Sequence, residues 1–300
     1  MSAISIATAL GDARREGRGW RCRCPLHGGR SLTLRDGEGG RLLVTCWAGC
    51  DRLDVLDELR RRGWLNGCMK YRAPINACPL RDDAAHAEAR ITHARALWHE
   101  ARPIVGTIAE RYLRSRAIKL NTWPEALRFH PRCPHPAGEK LPAMVALIGH
   151  IERGFVGLHR TFLCADGERA NLTPTKATLG PTSGGAVRLR EPGQGEWLAL
   201  AEGVETALSI MSMTELPTWA TLGTSGLRNV MLASETTLVL IAADNDANGA
   251  GQLAALEAGR RFLSEGRRIR VATPPVLDTD WNDVLAGRLS SEIRGASRVA

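Results

Sequence analysis

Residues 236–274, TTLVLIAADNDANGAGQLAALEAGRRFLSEGRRIRVATP, contain two apolar runs with strand character on either side of one helical pattern. The first run, TTLVLIAAD, stops at Asp244, and Asp246 follows one residue later. GAGQLAALEAGRRFLSEG has apolar residues at helical spacing, and RIRVATP reads as a strand again. The same rhythm begins upstream with EWLALA (strand), VETALSIM (helix) and PTWATLG (strand). Strands that alternate with helices in this way form a parallel sheet with helices packed on it. Ligands of such sheets bind beyond the carboxyl ends of the strands. Glu202 and the Asp244/Asp246 pair all fall at strand ends, and DTDWND adds Asp280 and Asp283.

Side chains two apart on an extended chain project the same way, so Asp244 and Asp246 crowd like charges together. An oxygen-liking octahedral cation such as Mg2+, or Mn2+ in its place, relieves that repulsion and leaves positions for phosphate oxygens. Glu202 can join the pair or serve as a general acid or base. The plainer alternative is that Asp-Asn-Asp is a turn that caps the next helix. GAGQLA matches the dinucleotide fingerprint G-x-G-x-x-A, but two carboxylates precede it where a pyrophosphate would lie. No acidic residue closes the next strand to hold a ribose. There is no Walker A pattern, so a fused helicase motor is excluded.

The chain of 300 residues is 44% hydrophobic, enough for two or three modest domains. No segment approaches 18 uninterrupted apolar residues and no signal peptide is evident, so a cytoplasmic protein without a membrane partner is expected. Net charge is +8, and residues 1–70 hold 13 basic and 8 acidic side chains, so +5 of it lies there. That asymmetry favours a nucleic-acid partner. Six of the eight cysteines fall before residue 79, where metal binding is a better reading than disulfides in a reducing compartment. CPLH and CWAGC place Cys24, His27, Cys46 and Cys50 at the ends of a hairpin, SLTLRDGEGGRLLVTC, with spacing that suits tetrahedral Zn2+. Cysteines buried as small hydrophobes are the alternative, and Cys22 is a possible substitute ligand. Trp47, between two of the ligands, is expected to shield the metal, or else to stack on an unpaired base.

After Cys50, DRLDVLDELRRRG predicts a helix with Asp51 as N-cap and Gly63 closing it. The expected organisation is a metal-binding unit over 1–66, a linker over 67–83, a middle domain over 84–192, the parallel-sheet domain over 193–290 and a tail over 291–300. In the middle domain a helical stretch is predicted from about Ala84 to Arg116, and LPAMVALIGHI and FVGLHRTFL are predicted strands. FHPRCPHP, with His130, Cys133 and His135, reads as a rigid proline turn rather than a second zinc site.

LALAEGVETALS, ATLGTSGL, VLIAADNDANGAG and DTDWNDVL, in this order and spacing, resemble the Toprim domain of bacterial-type DNA primases, especially the short phage and plasmid forms. The N-terminal unit resembles the zinc-binding domain of the same primases, which recognises template DNA. It departs from them in its second pair, which is C-x3-C where cellular primases have C-x2-C. The likeness runs from about Gly19 to Gly287. It implies a multidomain α+β chain: an N-terminal zinc ribbon-like domain, an α/β middle domain and a C-terminal Toprim α/β domain with a parallel sheet. It further implies a catalytic Glu202, metal-binding Asp244 and Asp246, and an accessory acidic pair at Asp280 and Asp283. GFVGLHRTFLCADGERANLTPTKATLGP resembles the primase segment in which a basic strand residue precedes a Lys-bearing turn. By that likeness Arg160 and Lys176 touch template or nucleotide phosphate.

The expected activity is primer synthesis on single-stranded DNA from nucleoside triphosphates, with Mg2+ and Zn2+ as cofactors and a separately encoded replicative helicase as partner. A Toprim-type nuclease uses similar acids, but the zinc unit and the Lys176 segment argue against it. A non-catalytic recombination-mediator module is disfavoured by the retained Glu202, Asp244 and Asp246. A topoisomerase is disfavoured because only Tyr71 and Tyr112 could act as nucleophiles.

Overall fold

The computed structural model describes residues 2–17, 19–26, 28–37, 42–47, 52–65, 79–247 and 249–287. His27, Cys50, Asp51, Tyr71, the linker segment 67–78 and the tail 291–300 lie outside the described residues. The chain divides into two compact units, Met1–Cys78 and Pro79–Ala300. No described helix is long and apolar enough to cross a membrane.

The first unit opens with helix α1 (Ala3–Leu10), followed by β1 (Arg14–Glu16), β2 (Gly19–Cys22), β3 (Leu32–Asp36), β4 (Leu42–Cys46) and helix α2 (Arg52–Arg61). The four strands form one antiparallel sheet in sequence order. α1 is absent from the sequence reading. Its Ser2 cap accepts a hydrogen bond from Ser5 N, and Ala3, Ile6 and Ala7 at i, i+3, i+4 bury one face. They join Leu32, Leu34, Val44, Val55, Leu59, Cys22 and Cys24 in a small core. Trp47, expected to shield the cysteines, is instead 62% exposed, and its Nε1 donates to Thr33 Oγ1 at 2.8 Å.

The second unit contains α3 (Pro79–Glu100), β5 (Arg102–Pro103), α4 (Ile108–Ser115), β6 (Leu127–Pro134), β7 (Lys140–His150), β8 (Gly154–Phe162), β9 (Lys176–Leu179) and β10 (Ala186–Arg188). It continues with β11 (Leu198–Ala201), α5 (Val204–Thr214), β12 (Thr218–Ala220), α6 (Thr224–Asn229), β13 (Leu238–Ala242), α7 (Ala250–Ser264), β14 (Arg268–Ala272) and α8 (Trp281–Leu285). The predicted helical stretch 84–116 is thus two helices. Pro103 sits in the short β5 between them, and Gly106 turns at φ +70°. FHPRCPHP also differs from its reading: it lies largely in β6, which pairs with β7 and carries a bulge between His130 and Cys133.

Among the described residues, the ten strands of this unit belong to one sheet, in the order β14-β13-β11-β12-β10-β7-β6-β5, with β8 on β7 and β9 on β8. β12, β11, β13 and β14 are parallel neighbours, as the alternating rhythm predicts. β10 pairs antiparallel with both β12 and β7 and so joins them to the antiparallel strands. One apolar core crosses that joint: Tyr112 and Leu113 of α4 and Met144 and Ile148 of β7 pack with Val204 and Leu208 of α5. A second core beneath α7 holds Val239, Ile241, Ala254, Ala258 and Phe262. Burying a residue of the size of Phe262 contributes roughly 1.5–3 kcal/mol.

Candidate active site

The register of β11 with β13 places Ala201 opposite Ala242, so the two strands end side by side. Glu202 follows one directly, and Asp244 follows the other by two residues. Both are largely withdrawn from water, and Glu202 Oε1 and Asp244 Oδ1 are buried without a hydrogen-bond partner. Burial, reinforced by the charge of Asp246, pushes the Glu202 carboxyl up to about 7. Burial, then the charges of Glu202, Asp280, Asp246 and Asp283, do the same for Asp244, also to about 7. Two carboxyls that each keep a buried oxygen without a donor, and that burial and neighbouring acids push up, suit a cation.

The glycines of GAG have a geometric reason here, different from pyrophosphate binding. Gly249 takes φ +67° as the N-cap of α7 and has no side chain to cap it. The N-cap position thus falls on Gly249 and not on the Asp-Asn-Asp turn. A Cβ on Gly251 would stand 2.8 Å from Glu202 Oε1 and 3.1 Å from the Asp244 carbonyl oxygen. Gly251→Ala is expected to displace the Glu202 carboxylate and weaken Mn2+ binding by about tenfold with the fold retained, measured by titration and circular dichroism.

Asn245 is structural. Its Nδ2 donates to the carbonyls of Pro274 and Val276 at 3.0 Å each, and its Oδ1 accepts from Gln252. It ties down the loop that leads to Asp280 and Asp283. Those two form a capping box at the start of α8, each accepting from the other's backbone N–H. Asp246 is exposed. Among the described residues, no three His, Cys, Asp or Glu side chains gather closely enough to hold a metal ion. Glu202 and Asp244 nevertheless fit a hard divalent cation in donor type, charge and unsatisfied oxygens.

A cavity of about 370 Å³ opens at these strand ends, with Glu202, Asp244 and Asp280 on its lining. Arg116, Arg169 and Lys176 line it as well. Lys176, expected to touch template or nucleotide phosphate, thus lines the same cavity as the acids. Arg160 does not line the cavity: it is buried, donates to the Pro134 carbonyl at 2.8 Å and lies over the Phe162 ring. His159, its neighbour on β8, does line the cavity. Burial, then the charge of Lys176, lowers that imidazole to about 4, so it is neutral at pH 7.

Sequence reasoning missed Glu205, in the first turn of α5. It is buried and accepts from Tyr112 Oη at 2.7 Å, Lys176 Nζ at 2.7 Å and Arg169 Nη2 at 3.2 Å. Against the cost of burial, Lys176 first, then Tyr112 and Arg169, hold its carboxyl well below the usual range. Breaking so buried a network costs about 3–5 kcal/mol. The signal available in sequence was the second acid of EGVE alone, with nothing to say which way it faces.

In the first unit, Cys22 and Cys24 are core residues, and Cys46 is partly exposed. Burial, then the neighbouring Cys24, pushes the Cys22 thiol up to about 11. Cys24 N donates to the Gly29 carbonyl at 2.7 Å, and Gly28 N donates back to the Cys24 carbonyl at 2.9 Å. These bonds tie Gly28 and Gly29 to Cys24. In the second unit, His130, Cys133 and His135 each have other partners: Glu100, Arg160 and the Pro174 carbonyl.

Residues 197–291 match the family described as Toprim domain, and residues 88–189 match one described as domain of unknown function, DUF7146. No curated protein matches the chain. Among solved structures, the Aquifex aeolicus primase (zinc-binding and RNA polymerase domains) is similar at 14% identity and TM-score 0.42, covering 98% of this chain and 82% of that one. A DNA primase domain from Pseudomonas aeruginosa is similar at 15% identity and TM-score 0.43, covering 69% and 77%. The primase fragment of the bacteriophage T7 primase-helicase protein is similar at 15% identity and TM-score 0.38, covering 65% and 73%.

Proposed function

We propose that the protein is a DNA primase of the short phage or plasmid kind, which joins nucleoside triphosphates into primers on single-stranded DNA. One observation carries the reading. Within the segment that matches the Toprim family, two buried carboxyls lacking partners share a cavity with three cationic side chains. Glu202 and Asp244 would hold Mg2+, with Asp246, Asp280 and Asp283 as accessory acids. When bound, the ion neutralises triphosphate charge and stabilises the charge that develops as a 3′ oxygen attacks in line.

The chain's own residues supply the remainder. Lys176 and Arg169 keep 30% and 39% of their side-chain surface exposed, enough to meet phosphate oxygens opposite the acids. Arg116 extends that basic face. Neutral His159 adds a polar ring without adding charge. Arg160, whose guanidinium serves the Pro134 carbonyl, supports β8 beneath them. The first unit would hold Zn2+ through Cys24, His27, Cys46 and Cys50 and bring template DNA, since it carries much of the net positive charge. A separately encoded replicative helicase would be its partner.

Incubation of the purified protein with labelled nucleotides, Mg2+ and varied single-stranded templates is expected to yield short oligonucleotides de novo. Degradation of the template with no product would replace this reading with that of a Toprim nuclease.

A further inference from the structure

The acids and the cations of this cavity face the same space, yet they do not neutralise each other. Among the described residues Glu202 and Asp244 make no ion pair, and each keeps a buried oxygen without a hydrogen-bond partner. Lys176 and Arg169 line the same cavity on long side chains. Opposite charges that line one partly buried cavity attract each other. What differs between the two faces is Glu205. Its Oε2 takes Lys176 Nζ at 2.7 Å, and its Oε1 takes Arg169 Nη2 at 3.2 Å and Tyr112 Oη at 2.7 Å. Arg169 Nε donates to the same Tyr112 Oη at 2.8 Å, which fixes the guanidinium at a second point.

We infer that Glu205 is a positioning residue that holds Lys176 and Arg169 away from Glu202 and Asp244, keeping the carboxylates open to a divalent cation and the cations open to an anion. The inference rests on the metal reading above and adds a role for an acid outside the metal set. Geometry favours Glu205 as the anchor. It lies in the first turn of α5, where a helix N-terminus favours negative charge, and its three partners come from α4, the loop before β9, and β9 itself. Gln at this position keeps the shape and a hydrogen-bond acceptor but loses the charge that outcompetes Glu202 and Asp244. Lys176 and Arg169 then have the carboxylates of Glu202, Asp244 and Asp280 in the same cavity as alternatives.

The test is Mn2+ affinity, read from the paramagnetic resonance of free Mn2+ at pH 8 without nucleotide, in wild type, Glu205→Gln, Lys176→Gln and the double variant. Glu205→Gln is expected to weaken Mn2+ binding by about tenfold, a change of about 1.4 kcal/mol. Lys176→Gln alone is expected to leave it within about twofold, and the double variant to recover most of the loss, because the competing ammonium has gone. A merely structural role for Glu205 predicts no such recovery. Glu205→Asp, which keeps the charge on a shorter arm, takes the same cycle should Glu205→Gln fail to fold, with a smaller loss and the same recovery. Unchanged affinity in Glu205→Gln, or an equal loss in the double variant, overturns this inference alone. Wild-type protein that binds no Mn2+ overturns the metal reading and this inference with it.

Discussion

Asp244→Asn is expected to reduce primer synthesis by about a hundredfold or more, yet to raise the melting temperature of the metal-free protein at pH 8. The two effects share a cause. Asp244 and Glu202 have folded-state values near 7, raised by burial first and then by neighbouring acids, Asp246 for Glu202 and Glu202 for Asp244, against ordinary carboxyl values near 4 when unfolded. A carboxyl that holds its proton more tightly in the fold contributes stability that is fully present below about pH 4 and lost as pH rises through about 7. Metal-free wild type should therefore be less stable at pH 8 than at pH 5, by an amount on the order of 3 kcal/mol for the coupled pair. Asn at 244 removes one charge and the share of that slope that belongs to Asp244, leaving the share of Glu202. Mg2+ should stabilise wild type at pH 8 and have little effect on the variant. Calorimetry at both pH values with and without Mg2+, beside a primer assay, measures all of this. Asp246→Asn and Glu202→Gln should also abolish synthesis; full activity in all three variants would make the acids structural.

Zinc removal is expected to unfold the first unit before the second. One tightly held Zn2+ per chain is expected, and Cys24→Ser should release it. The unit's core consists of a few small and medium side chains, two of them cysteines, so the ion would supply much of its folding free energy, of the order of 10 kcal/mol. The second unit has larger cores of its own and should survive chelation. Loss of the first unit should weaken binding to single-stranded DNA and flatten the salt dependence of what remains, because Met1–Cys78 carries +6 of the +8 net charge. Elemental analysis decides the ligand set. Zinc lost in Cys22→Ser but kept in Cys24→Ser would move the site to Cys22, and no zinc in wild type would remove it.

The sequence by itself determined the parallel sheet and the placing of Glu202 and Asp244 at neighbouring strand ends. Both follow from period and composition: alternating apolar runs specify strand, helix, strand, and the acids stand where the apolar runs stop. The break between α3 and α4 was within reach of the same reasoning, since Pro103 and Gly106 carry their own backbone preferences. The bulge in β6 was not, because proline density resembles a turn until pairing with β7 imposes an extended course. Glu205 lies further beyond local reasoning. Its motif spacing groups it with Glu202, yet its partners stand 29, 36 and 93 residues away. Only the course of the chain through β8, β9 and α4 brings those three groups to one carboxylate. The opposite fates of Arg160 and Lys176 were decided in the same way. Both are basic residues of the segment from β8 to β9, but Arg160 is buried against the Pro134 carbonyl while Lys176 reaches the cavity. Charge type and spacing are written along the chain; which charges meet depends on strand pairings that cross it, and a buried charge takes its role from those meetings.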